Sequence, residues 1–152
     1  MPKQRLRETL EGGISVIVAT VDADNVPSCC RGVTLTTKDD FETVTVYVPA
    51  ATAGETIANL ATTRRMAVSC AAPLTHSTIQ LKGVTRGVRL APAEDEKMVR
   101  QRWREFMDVL DAIGQPRRVT ARIAHWPTFA IEMTVEQVFE QTPGPKAGNP
   151  LT

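Results

Sequence analysis

Neither sign of charge is in excess in this chain: 18 Lys and Arg stand against 17 Asp and Glu, and only the short pairs Arg64-Arg65 and Arg117-Arg118 concentrate positive charge. Nucleic acid and anionic membrane are therefore not expected partners. Long apolar runs are missing too. The run from Ile14 to Ala19 is far shorter than the ~20 residues of a bilayer-spanning helix. The opening "MPKQRLRETLEGG" leads into a strand pattern rather than a cleavable signal. A soluble, cytoplasmic protein is the expectation. The cysteines are three, Cys29, Cys30 and Cys70, an odd number with no CxxC pair, which argues against a disulfide framework or a zinc knuckle. In a strand Cys29 and Cys30 point to opposite faces and cannot chelate one ion together, so small, half-buried thiols are expected. The two histidines, His76 and His125, have no carboxylate or cysteine at catalytic or metal spacing, which leaves them structural or surface roles. There is no Ser-His-Asp set, no Walker loop, no paired-carboxylate site and no CxxCH haem attachment.

What is present is a strand grammar of one domain's length, 152 residues. "ISVIVATV" at 14 to 21 reads as a buried strand, "DADN" as a turn, and "VPSCCRGVTLTT" as a second extended run, which together make an antiparallel hairpin. "TVTVYV" at 43 to 48 alternates with period two. At 52 to 65 the period changes to that of a helix, with Thr52 and Glu55 spaced as a capping box. "MAVSCA" returns to strand, and "STIQLKGVTRGVRL" at 77 to 90 stays extended, with Gly83 and Gly87 as bend or bulge points. Val99, Trp103, Phe106, Met107, Leu110 and Ile113 form the stripe of an amphipathic helix over 92 to 113, stopped by Gly114 and Pro116. A last strand, bulged near Thr134, runs from 128 to 141, and a short helix is read at about 3 to 11; "RRVTARIAHWP" is ambiguous. The expectation is a mainly β protein: six strands in mostly antiparallel order with flanking helices. It closes with a Pro/Gly-rich segment, 143 to 152, in which Pro143 and Pro145 fix their own φ and bias the preceding residue toward extended geometry.

That order resembles the pyridoxamine 5′-phosphate oxidase-like family of FMN-binding split barrels. The resemblance rests on the hairpin "VATVDADNVPSCCRGVTL" with its arginine, "NL" before "RRMAVSC", the long strand "IQLKGVTRGV", and the closing strand with "QTPGPKAG", and covers roughly residues 5 to 148. It implies a six-stranded antiparallel split β-barrel over 1 to 142 and a homodimer with FMN in grooves between the subunits. It also gives the 143 to 152 tail a role, docking on the partner subunit near the flavin; a free terminus is the alternative.

A flavin phosphate needs cations and N–H donors, and the ring needs a slot with hydrogen bonds to its polar edge. By resemblance, Arg31 takes the place of the phosphate-binding arginine; otherwise it is a solvated strand residue. The helix start, Thr52, Gly54, Glu55 and Thr56, offers free N–H groups. Here the chain departs from the family, whose members commonly carry Ser-x-Lys or Arg-Lys where Gly54, Glu55 and Thr56 stand. Arg64, Arg65 or Lys82 is left to supply the missing charge. Val33 and Thr34, with Val48 and Pro49, occupy positions where the family lets backbone groups and small side chains line the ring, or they are barrel core. Gln80 and Lys82 share a face of the long strand, and Trp126 is placed to stack on a ring or to pack in the interior. The implied function is an FMN-binding oxidoreductase acting on a small organic substrate. The alternative is a non-enzymatic carrier or sensor of FMN, F420 or haem on the same fold.

Overall fold

The computed structural model describes residues 7, 9–10, 12–38 and 41–151. Arg7, Thr9 and Leu10 are helical; the rest of the helix read at 3 to 11 lies largely outside the described residues. Seven strands follow: β1 (Ser15–Val21), β2 (Pro27–Gly32), β3 (Thr34–Thr37), β4 (Thr43–Pro49), β5 (Arg65–Ala71), β6 (Thr78–Leu90) and β7 (Thr128–Glu140). The helices are α1 (Gly54–Thr62) between β4 and β5, and α2 (Glu96–Ala112) and α3 (Arg117–Thr120) between β6 and β7. Among the described residues no helix is long and apolar enough to cross a membrane.

All the strands form one antiparallel sheet in the order β2-β1-β5-β6-β7-β4-β3. Its two outer strands, β2 and β3, are successive in the chain, and that succession makes the sheet a split barrel. The expected single strand over 26 to 37 is broken at Val33, whose N–H donates to the Tyr47 carbonyl at 2.8 Å, so the chain leaves β1 and joins β4. Seven strands therefore replace the expected six. Gly32 permits the corner, because a Cβ there would lie 2.7 Å from Val16 Cγ1.

Alternation sorts each strand. Val16 and Val18, Met66, Val68 and Cys70, Ile79 and Leu81, Val44, Val46 and Val48, and Ile131 and Met133 all face the barrel interior and are buried. Each fully buried aliphatic side chain contributes about 1.5–3 kcal/mol. α1 closes this interior at one side: Leu60 is in the core, and Asn59 Nδ2 donates to the hydroxyls of Thr20 at 3.1 Å and Ser28 at 3.0 Å. The capping box does not form. Thr52 instead donates its hydroxyl to the Pro49 carbonyl in a turn, and the helix starts two residues later without a side-chain cap. α2 lays Val99, Trp103, Phe106 and Met107 on the outer face of β3, β4 and β7, against Val33, Tyr47 and Ala130.

The expected bulges are present. Pairing between β6 and β7 shifts register at Lys82/Gly83 and again at Thr85/Gly87, with Glu136 and Arg86 as the extra residues. The closing segment returns along the free edge of its own β7: the N–H groups of Gly148 and Leu151 donate to Glu140 and Val138, and Pro150 bridges Phe139. Leu151 packs against the barrel core.

Candidate functional site

The outward residues of β1, β5 and β6 are not covered by α2. In the pairing, Arg31 of β2 faces Ile17, Ile17 faces Ser69, Ser69 faces Gln80, and Gln80 faces Phe139. Directly paired residues point to the same face, so these side chains form one transverse row across the outside of the barrel. At ~4.8 Å per strand, Arg31 and Gln80 stand about 14 Å apart. A parallel row runs through Cys29, Ala19, Ala67, Lys82 and Gln137. The middle of this face, Ala19, Ala67, Ser69 and Ala71 around Ile17, is made of small side chains that are only half buried.

Its ends are chemically distinct. Arg31 has no carboxylate partner among the described residues and lies 5.9 Å from the centre of the Phe106 ring. Gln80 donates to Ser69 Oγ at 3.4 Å and accepts from Gln141. Lys82 sits over the Phe139 ring at 4.8 Å. A hollow of about 410 Å³ lies beside Ala19, Ala67, Lys82 and Gln137. A larger groove of about 510 Å³ opens at the other end, between Ser15, Arg31 and Ala71 and the helices α2 and α3.

The structure thus brings Arg31, Gln80 and Lys82 to one face. The side chains of the other candidate site residues lie off this face. Thr56 is buried on the opposite side of β2, with its hydroxyl 3.0 Å from Cys30 Sγ, while Thr52, Gly54 and Glu55 are exposed or at the turn leading into α1. Val48 is fully buried in the barrel core. Val33 is buried beneath α2, and Thr34 and Pro49 are also buried, so they offer a ligand no exposed side chain. Trp126 packs against the α2 cluster. Opposite Pro49 on β7, Thr128 is fully buried with its hydroxyl unpartnered.

Titratable groups here are not tuned for nucleophilic work. Burial pushes the Cys30 thiol up, partly offset by the Thr56 hydrogen bond, with Cys29 adding to the rise. Burial pushes Cys70 up to about 12. Thiols held protonated are poor nucleophiles. Tyr47 is also pushed up to about 12, first by burial and then by Asp95, whose carboxylate accepts its hydroxyl at 3.1 Å. His125 stacks on Trp103 with ring centres 5.1 Å apart. Arg100 donates to its Nε2, which leaves Nδ1–H to donate to the Ile123 carbonyl. This histidine is a structural brace, as its isolation in the sequence suggests.

Phe106 is legible in the sequence only as part of the α2 stripe, and Ile17 and Ser69 carry no motif. The only signal for them was the small-residue alternation Ala67, Ser69, Ala71, which gains meaning once the register of four strands is known.

The family model for pyridoxamine 5′-phosphate oxidase matches residues 2–142. No match to a curated protein was found. Among solved structures, Group A Streptococcus HupZ is 18% identical, with 97% of this chain and 100% of that chain covered and a TM-score of 0.59. A protein described as F420 reductase is 14% identical, over 87% of this chain and 94% of that one, with a TM-score of 0.60. An FMN-binding protein from Syntrophomonas wolfei subsp. wolfei is 13% identical, over 99% and 88%, with a TM-score of 0.54. At these identities the likeness is one of fold.

Proposed function

The chain belongs to the pyridoxamine 5′-phosphate oxidase family, and on that premise we propose that it is an FMN-binding oxidoreductase acting on a small organic substrate. The observation that carries this reading is the row from Arg31 to Gln80. A guanidinium with no carboxylate partner among the described residues suits a phosphate, to which it makes paired hydrogen bonds that a lysine does not reproduce. Ser69 in the row and the alanines around Ile17 leave room for a flat ring, and the Gln80 amide at the far end offers both a donor and an acceptor to a polar ring edge. Lys82, next on the same face, adds positive charge. A bound flavin supplies two-electron redox chemistry of its own, so the protein's share is to hold and orient it and to shield it from water.

The same face is the surface for a second copy of the chain. Half-buried alanines flanking Ile17 allow two sheets to approach closely, and a homodimer formed there encloses the ligand between subunits. Glu55, standing where the family carries basic residues, favours a second reading: a carrier of another cofactor, such as F420 or haem, on the same face. Turnover separates the two.

The test is the visible spectrum of the purified protein after incubation with FMN and desalting, beside Arg31→Ala. A retained oxidised-flavin spectrum that weakens in the variant upholds the site. Equal retention by both, or none by either, removes it. Reduction of the bound flavin by a nicotinamide donor followed by reoxidation with turnover marks an enzyme rather than a carrier.

A further inference from the structure

The apolar stripe of α2 overruns the sheet it packs on. Val99, Trp103, Phe106 and Met107 are buried, but Leu110 is only half buried and Ile113 is 46% exposed. Across from them stand Val119 of α3, 55% exposed, and Ile123. Leu74, 62% exposed, lies in the loop after β5 between Pro73 and His76, which both line the same groove. Large apolar side chains are thus left open to solvent around one concavity, an arrangement that marks a binding surface rather than scattered exposure. The volume of about 510 Å³ is within the range of small-molecule sites.

The polar content of the groove narrows its occupant. Among the described residues lining it, Arg31 is the one Arg or Lys, and there is no Asp or Glu. Arg31 ends the row that would hold the flavin phosphate, and Thr78, also in the lining, lies two residues from Gln80 on the same face of β6, so the groove borders the flavin face towards both ends of the row, and its cation is already engaged there. A second phosphate would stand against apolar walls with no lysine and no further arginine to meet it, which is costly. Ser15, Thr78, Gln115 and Thr120 remain as neutral hydrogen-bonding groups, and His76, an exposed residue, is the other titratable side chain of the lining.

We propose that this groove takes a neutral, apolar organic molecule, and that such a molecule, not a phosphorylated one, is the substrate class of the flavin site. The assignment rests on the flavin reading above. Calorimetric titration of the FMN-loaded full chain with 2-naphthalenemethanol and with 2-naphthyl phosphate tests it. The alcohol is expected to bind at least about tenfold more tightly than the phosphate ester, as an uncompensated buried charge requires. Ile113→Glu, at an exposed position, and Val119→Trp, which fills the groove without charge, should each weaken alcohol binding while FMN retention is unchanged. Equal or tighter binding of the phosphate ester, or no effect of either variant, overturns the inference and leaves the flavin site standing. Loss of FMN retention in the wild-type protein, read separately by visible absorbance, overturns the flavin reading and this substrate assignment with it.

Discussion

Gly83 and Thr134 approach so closely that a Cβ built on the glycine would lie 1.9 Å from the threonine carbonyl oxygen. The contact sits at the first β6–β7 bulge, where backbone has to shift to admit even a methyl group. Gly83→Ala should destabilise the fold by about 3 kcal/mol or more. Gly87 marks the second bulge, yet its Cβ would meet nothing within 4 Å, so Gly87→Ala should fall within about ±0.5 kcal/mol. Denaturant unfolding of the two variants side by side tests the contrast.

Thr128→Val should stabilise the protein by about 1–2 kcal/mol, since it exchanges a buried, unpartnered hydroxyl for a methyl group of similar size. A lower unfolding midpoint would show that the hydroxyl is satisfied.

Tyr47 is the only tyrosine in the chain, so its titration is directly visible in near-ultraviolet absorbance. Burial and the Asp95 carboxylate raise it to about 12 in the folded protein, against roughly 10 when unfolded. A folded value above the unfolded one means that this contribution to stability is full below about pH 10 and is lost as pH rises through about 12. In Asp95→Asn the tyrosinate should appear at lower pH.

The thiols should separate cleanly. Cys29 is exposed, Cys30 intermediate and Cys70 buried. A disulfide reagent at neutral pH should modify Cys29 first, Cys30 slowly, and Cys70 only on unfolding. Cys70 reacting in the native protein would contradict its place in the barrel core.

Ala67 lies at the middle of the proposed subunit face, paired with Ala19 and Lys82. It is half exposed, so Ala67→Arg should fold, shift the protein in light scattering from dimer to monomer, and reduce FMN retention. An unchanged mass would move the dimer interface elsewhere.

The face that carries these proposals was legible only in fragments. Arg31, Gln80 and Lys82 were singled out from the sequence and do share a surface. For Val48 the sequence leaves ring lining and barrel core both open; its side chain lies in the core, because its alternation turns it inward. The helix start at Thr56 points to Cys30 on the far side of β2, since neighbours along a strand face opposite ways. The groove was hidden inside what the sequence showed as a single continuous α2 stripe.

By itself the sequence determined what is local: where strands and helices run, which side of each is apolar, where Gly83 and Gly87 interrupt the pairing. Those follow from backbone preference and from periods of two and 3.6, which need only neighbouring residues. Tertiary structure alone decided that the chain breaks at Val33 to split the barrel, that the closing segment lies along its own β7, and that Arg31 and Gln80 end one row. Each depends on hydrogen-bonded register between segments distant in the chain. A shift of one residue in that register reverses a strand's faces while leaving its own pattern unchanged.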